Sequence, residues 1–304
     1  MKVLSLVAAA TLLAACEVNL NTEGLSAREV KTFKVAGQPE VVLDTWDGAI
    51  EVHSWDRNEI EVEVEKRAME QTLLDEIKID AQQEGDKITV KVTGPRSERH
   101  GVTIGVNISP TARLRVAVPR NANINAMSGD GSIRAEAIEG RIVLRTSDGS
   151  VTGTRLGGDI QIRSGDGSIR IDNATGKLDL ETEDGSVGVE ARPSVLHLRT
   201  GDGSVRVALE PDTVMTENWD ITTSDGTITV TLPGLFNAEL DAETSDGAVR
   251  TNHPLLGDDD REVRRRGEDS GERRERRRTL QSKIGEGGKV LKIRSGDGSI
   301  RIER

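Results

Sequence analysis

Five phrases decide the reading of this chain: SGDGSI at Ser128–Ile133, TSDGSV at Thr146–Val151, SGDGSI at Ser164–Ile169, TEDGSV at Thr182–Val187 and TGDGSV at Thr200–Val205. Each begins 18 residues after the one before. A period held that strictly means one supersecondary unit stacked on copies of itself. Working outward, the same Asp-Gly pair returns in looser copies at Asp47, Asp225, Asp246 and Asp297.

Around each Asp the apolar residues keep fixed offsets. Three and five residues after it stand pairs such as Ile133/Ala135, Val151/Gly153, Ile169/Ile171 and Ile300/Ile302. Six and four residues before it stand Val41/Leu43, Ile142/Leu144, Leu178/Leu180, Trp219/Ile221 and Leu291/Ile293. This is alternation with period two, so each unit predicts two short strands with one apolar and one polar face. The residue two before the Asp is always Ser or Thr, which parity turns inward as a column of hydroxyls. Trp219 sits at an inward offset, so its burial tests the register.

Two all-β architectures fit. In a repetitive parallel β-solenoid each unit of about 18 residues is one turn, with equivalent residues about 4.8 Å apart up the stack. In an antiparallel meander or sandwich of hairpins each Asp-Gly is a two-residue hairpin turn. The constant period favours the solenoid, because coils stacked in register need equal lengths and hairpins do not.

The flanking segments divide the chain. Residues 1–15 carry a basic tip, the apolar run Val3–Leu13 and small residues before Cys16, the pattern of a secretory signal too short to span a bilayer. Leu13-Ala14-Ala15-Cys16 resembles the lipobox of bacterial lipoproteins, which makes Cys16 the expected lipid-attachment residue and the membrane a partner. Glu17, where an Asp would suggest inner-membrane retention, favours the outer membrane. Residues 16–35 read as a tether. Residues 36–125 read as an irregular β-region capping the solenoid, with a short helix or irregular edge at 68–76, a loop at 95–101 and an alternating stretch at 102–108. Residues 126–304 hold the repeats, interrupted by a charged insert at about 252–288. That insert contains Asp258-Asp259-Asp260, Arg264-Arg265-Arg266 and an Arg-rich run ending at Arg278. It reads as a solvated projection, or as a basic contact for anionic lipid, lipopolysaccharide or peptidoglycan.

Composition narrows the function. Cys16 is the only cysteine of 304 residues, so an exported domain has no disulfide and must be held by its core. A formal net charge of -11 argues against nucleic acid as a partner. His53, His100, His197 and His253 are scattered without metal-ligand spacing, and a solvated His is the default for each. No nucleophile elbow, phosphate loop or dinucleotide fingerprint appears. Trp46 and Trp55 are candidates for stacking on a sugar ring or, more simply, for covering a core edge.

The candidate binding feature is the column Asp130, Asp148, Asp166, Asp184 and Asp202. Stacked carboxylates repel, and Arg134, Arg170 and Arg206 four after the Asp of their units, with Arg145, Arg163 and Arg199 three before, predict a self-neutralised turn ladder, with the following Gly supplying positive φ. The sharper reading is a ladder for calcium; no other cofactor and no dedicated metal site is expected. Because Asp and Arg recur in every unit, whereas a catalytic cluster is unique, the chain reads as non-enzymatic. The alternative is a carbohydrate-active β-helix enzyme acting on an envelope or extracellular polysaccharide, distinguished by a cleft holding one non-repeating acid pair.

With the lipobox, the Ser/Thr-x-Asp-Gly-Ser-Ile/Val units and a final unit Leu291–Ile302 after a Gly-rich segment, the sequence resembles the bacterial "putative adhesin" family of β-strand-repeat proteins over residues 36–304. The resemblance implies a solenoid-like domain in the cell envelope, often membrane-attached, that binds an envelope glycan or protein. It implies no catalytic residues.

Overall fold

The computed structural model describes residues 17–21, 24–95, 109–253 and 278–304. Cys16, the signal-like segment, the stretch at 96–108 and the Arg-rich run up to residue 277 lie outside the described residues. In chain order the strands are β1 (Glu17–Asn21), β2 (Gly24–Lys34), β3 (Glu40–Thr45), β4 (Ile50–Trp55), β5 (Glu59–Ala68), β6 (Lys78–Glu84), β7 (Lys87–Thr93), β8 (Thr111–Pro119), β9 (Asn123–Ser128), β10 (Ile133–Glu136), β11 (Glu139–Thr146), β12 (Val151–Thr154), β13 (Gly157–Ser164), β14 (Ile169–Thr182), β15 (Val187–Thr200), β16 (Val205–Leu209), β17 (Trp219–Thr223), β18 (Ile228–Thr231), β19 (Ala238–Thr244), β20 (Val249–Thr251), β21 (Thr279–Ile284), β22 (Val290–Ser295) and β23 (Ile300–Glu303). One short helix, α1 (Gln71–Glu76), falls where a helix or irregular edge was expected.

The repeats pair in parallel and in register. Ile133 lies beside Val151, Val151 beside Ile169, Ile169 beside Val187 and Val187 beside Val205. The hairpin alternative required antiparallel neighbours there. Each rung contributes one strand before its Asp-Gly turn and one after it, so two columns of strands face each other in a solenoid-like stack. Every apolar residue at the four offsets is buried, Trp219 at 1% exposure and Ile169 at 1%. Trp219 leans on Phe236 with ring centroids 6.0 Å apart and donates its Nε1–H to the Ser194 carbonyl at 3.1 Å.

The order of rungs departs from the order of the chain at both ends. β3 lies between β7 and β9, and β4 between β8 and β10, all in parallel. At the other end β22 is inserted between β17 and β19, and β23 between β18 and β20. Antiparallel strands then cover the ends: β6 on β7, β5 on β8, β2 on β5, and β21 on β19.

The expected tether at 16–35 is corrected by these pairings. β1 and β2 are strands, and β2 runs antiparallel to β5 from Leu25–Ala68 to Lys34–Glu59. The miss has a physical cause: β2 buries only Phe33 fully, and its cross-strand support includes ion pairs such as Lys66–Glu29 at 3.1 Å, which leave no apolar alternation to read.

Candidate functional site

The turn edge is built from the inward hydroxyl column. Thr146, Ser164, Thr182, Thr200 and Thr223 are buried. The Ser164 hydroxyl accepts the Gly167 N–H at 3.1 Å and donates to the Gly149 carbonyl of the rung before at 3.1 Å. Thr182 repeats the arrangement with Gly185 and Gly167, and Thr223 with Gly226 and Gly203. Each hydroxyl therefore closes its own turn and ties it to its neighbour.

This closeness explains the Gly. A Cβ on Gly167 would lie 2.0 Å from the Gly149 carbonyl oxygen, and one on Gly149 2.1 Å from that of Gly131. Of the glycines following the turn Asp residues, Gly48 alone has a positive φ, so close approach of rungs, not left-handed backbone, is what excludes a side chain. The left-handed positions occur at the opposite corner instead: Ala137, Arg155 and Asn173 at φ 58, 53 and 57°, each followed three residues on by a positive-φ Gly.

With the hydroxyl inward and the Gly pressed against its neighbour, the Asp is left at the tip. Asp130, Asp148, Asp166, Asp184 and Asp202 are all exposed, and in space the row continues from Asp47 through Asp225 and Asp297 to Asp246. Among the described residues only Asp246 of this row makes an ion pair, with Arg278 at 3.4 Å. The expected neutralisation by Arg is thus corrected. Arg163 holds Asp179 at 3.0 Å and Glu181 at 2.9 Å, Arg170 holds Asp172 at 2.9 Å, and Arg294 holds Asp241. Parity told which face each Arg occupies but not that strand carboxylates lie nearer than the turn. At the partly covered end of the row, burial and then the neighbouring charge of Asp130 push the Asp47 carboxyl above its ordinary value.

No group of three His, Cys, Asp or Glu among the described residues is placed to hold a metal ion. The carboxylates form a row along an edge, whereas calcium takes six to eight oxygens around one point.

A second feature was only partly legible in the sequence. A hollow of about 770 Å³ is lined by Gln38, Trp55, Asp56, Arg57, Arg120 and Glu139 among others. Trp55 donates its Nε1–H to the Glu59 carbonyl at 2.8 Å, and Arg57 lies 4.7 Å over its ring. The hollow holds two acids that do not recur, Asp56 and Glu139. Glu139 is bound by Arg120 at 3.0 Å, and both acids are exposed. Trp46 packs against the core as an edge cover. His53 is exposed, His197 half-buried and His253 buried, where desolvation lowers its basicity; His100 lies outside the described residues.

A family model described as Toastrack DUF4097 matches residues 39–303. No curated protein matches the sequence. Among solved structures the chain is similar to a "putative adhesin" from Bacteroides fragilis, at 10% identity over 90% of this chain and 96% of that one with a TM-score of 0.48. It is also similar to a "putative lipid binding protein" from Parabacteroides distasonis, at 15% identity over 90% and 96% with a TM-score of 0.38. A "putative cell adhesion protein" from Clostridium sporogenes aligns at 14% identity over 91% and 99%, with a TM-score of 0.29.

Proposed function

Because this chain belongs to the Toastrack DUF4097 family, we propose that it is a non-enzymatic, adhesin-like scaffold of the bacterial cell envelope, held to a membrane by lipid on Cys16. In this reading the parallel stack is a β-solenoid of about 18-residue turns. Residues 36–125 close one end of it.

The observation that carries the proposal is the row of exposed turn carboxylates, in-register and, among the described residues, almost free of ion pairs. Adjacent charges about 4.8 Å apart repel by roughly 1 kcal/mol in water. Such a row is maintained at a cost to the fold, and it presents one chemical group at a fixed repeat. A polymer bearing cationic or hydrogen-bond-donating groups, an envelope glycan or protein, meets it by many weak contacts whose avidity exceeds any single one.

The test uses the mature domain carrying Cys16→Ser, with Asp148→Asn, Asp166→Asn and Asp184→Asn combined. Retention of envelope polymers is expected to fall about tenfold or more, in keeping with the avidity of linked contacts, while the melting temperature does not fall. Unchanged retention would sink the proposal. The anchor is checked separately: full-length protein should partition with membranes and its Cys16→Ser form should not.

The carbohydrate-active enzyme is a second reading, favoured by the hollow that holds Trp55, Asp56 and Glu139. Release of reducing ends from a polysaccharide that disappears in Asp56→Asn or Glu139→Gln would replace the scaffold reading with it.

A further inference from the structure

The two faces of the stack treat their arginines differently. On the face formed by the strands before each turn, strand carboxylates hold Arg163 and Arg294. On the face formed by the strands after it, Arg134, Arg170, Arg206 and Arg301 lie in one register row on β10, β14, β16 and β23, and all are exposed. Thr152, Gly188 and Thr229 fill the rungs between them, so a cation recurs at every second rung, about 9.6 Å apart. Among the described residues only Arg170 of the four meets a carboxylate, that of Asp172 at 2.9 Å. Glu51, beside Arg134 in register, is taken by Arg115 at 3.5 Å. Arg250 stands directly beside Arg301 at the end of the row, a pairing of like charges that costs stability.

Guanidinium groups left without protein acceptors keep their paired N–H donors for a ligand. Nearer the turn, Ser132, Ser150, Ser168, Ser186 and Ser204 add one exposed hydroxyl per rung. In an extended glycan of equatorially linked sugars each sugar advances the chain by about one rung spacing. A carboxylate on alternate sugars then falls opposite each Arg of the row, and sugar hydroxyls fall along the Ser. We propose that this face binds a linear acidic polysaccharide carrying one carboxylate per disaccharide, laid along the axis of the stack. Each guanidinium takes one carboxylate through two N–H donors, and many weak contacts in register supply the affinity. The turn carboxylates lie on a separate edge and take no part, so this site stands whether or not they bind a polymer of their own.

The probe is hyaluronan, a polymer of alternating uronate, cut to fragments of one length; the same fragments with their carboxylates reduced to alcohols are the control. Binding to the full-length chain carrying Cys16→Ser is followed by fluorescence anisotropy. The parent is expected to bind the acidic form and not the reduced form, and no binding by the parent overturns the proposal outright. Arg134→Gln, Arg170→Gln, Arg206→Gln and Arg301→Gln combined should weaken binding about tenfold or more, with the circular dichroism spectrum unchanged. Binding that survives these four changes places the polymer elsewhere and sinks the proposal. Spacing is tested at constant charge by Gly188→Arg with Arg206→Thr, which moves one cation by one rung. A Cβ on Gly188 meets nothing within 4 Å, so the new side chain has room. That variant should bind several-fold more weakly; if it binds as the parent does, net charge and not spacing is at work and the proposal fails. The Asp148→Asn, Asp166→Asn, Asp184→Asn protein should bind at least as well as the parent, and a loss there would put the polymer on the turn edge instead.

Discussion

Thr182 shows how much one side chain does here. Its hydroxyl is buried, donates toward the Gly165 and Gly167 carbonyls at 2.8 and 3.0 Å, and accepts the Gly185 N–H at 3.3 Å. Thr182→Val keeps the shape but strands these groups, and should lower unfolding free energy by about 1–3 kcal/mol in urea denaturation. At the opposite corner Ala137 holds φ 58°, a conformation costing an ordinary residue roughly 1–2 kcal/mol. Ala137→Gly should therefore raise the urea midpoint, after its larger unfolded-state entropy is subtracted, and Ala137→Val should lower it. Charge at the turn gives a pH signature. Since the Asp47 pKa is raised by burial and by Asp130, its contribution to stability is present at low pH and is lost as pH rises through that raised value. Asp47→Asn should thus increase the melting temperature at neutral pH, with the gain vanishing below the ordinary carboxylate range. Asp241 behaves oppositely: the hydrogen bond from Arg294 lowers its pKa, so its contribution is lost as pH falls.

Strands were legible where the pattern is local and opaque where partners are distant. The offsets around each Asp place Ile160, Leu178 and Leu196 inside by parity alone, and the hydroxyl column follows from the same count. The left-handed corner escaped because Ala137, Arg155 and Asn173 share a backbone conformation but no residue type. β21 escaped because it lies in a charged insert, yet its Leu280 and Ile284 are 2% and 0% exposed against β19. It covers what would otherwise be the open edge of its column. Leu280→Ala should cost about 2–4 kcal/mol by chemical denaturation, and light scattering should show the protein associating more readily as that edge loosens.

Across the whole molecule, rungs contact their neighbours and little else, so stability should be close to a sum over rungs and interfaces. Excising residues 149–166 joins Asp148 to Gly167, restores the phrase Ser-Asp-Gly-Ser and brings Ile142 opposite Leu178 in the register that Ile160 had. The shortened protein should remain folded by circular dichroism, with a smaller denaturant slope in keeping with its reduced buried surface. A deletion of nine residues at the same place would shift every side chain out of step and should not fold. The same reasoning marks what the sequence withheld: a period predicts that copies stack, but not that the final copy enters between two earlier ones.

That late entry gives the chain a keystone. A polypeptide made from its amino end outward meets residues 290–303 only after both of the rungs they join, so the breach between the rungs at 219–231 and 238–251 stays unhealed until those residues emerge. Any product cut short upstream of Leu291 carries four raw ladder edges, a mark by which proteases can tell a finished molecule from an unfinished one.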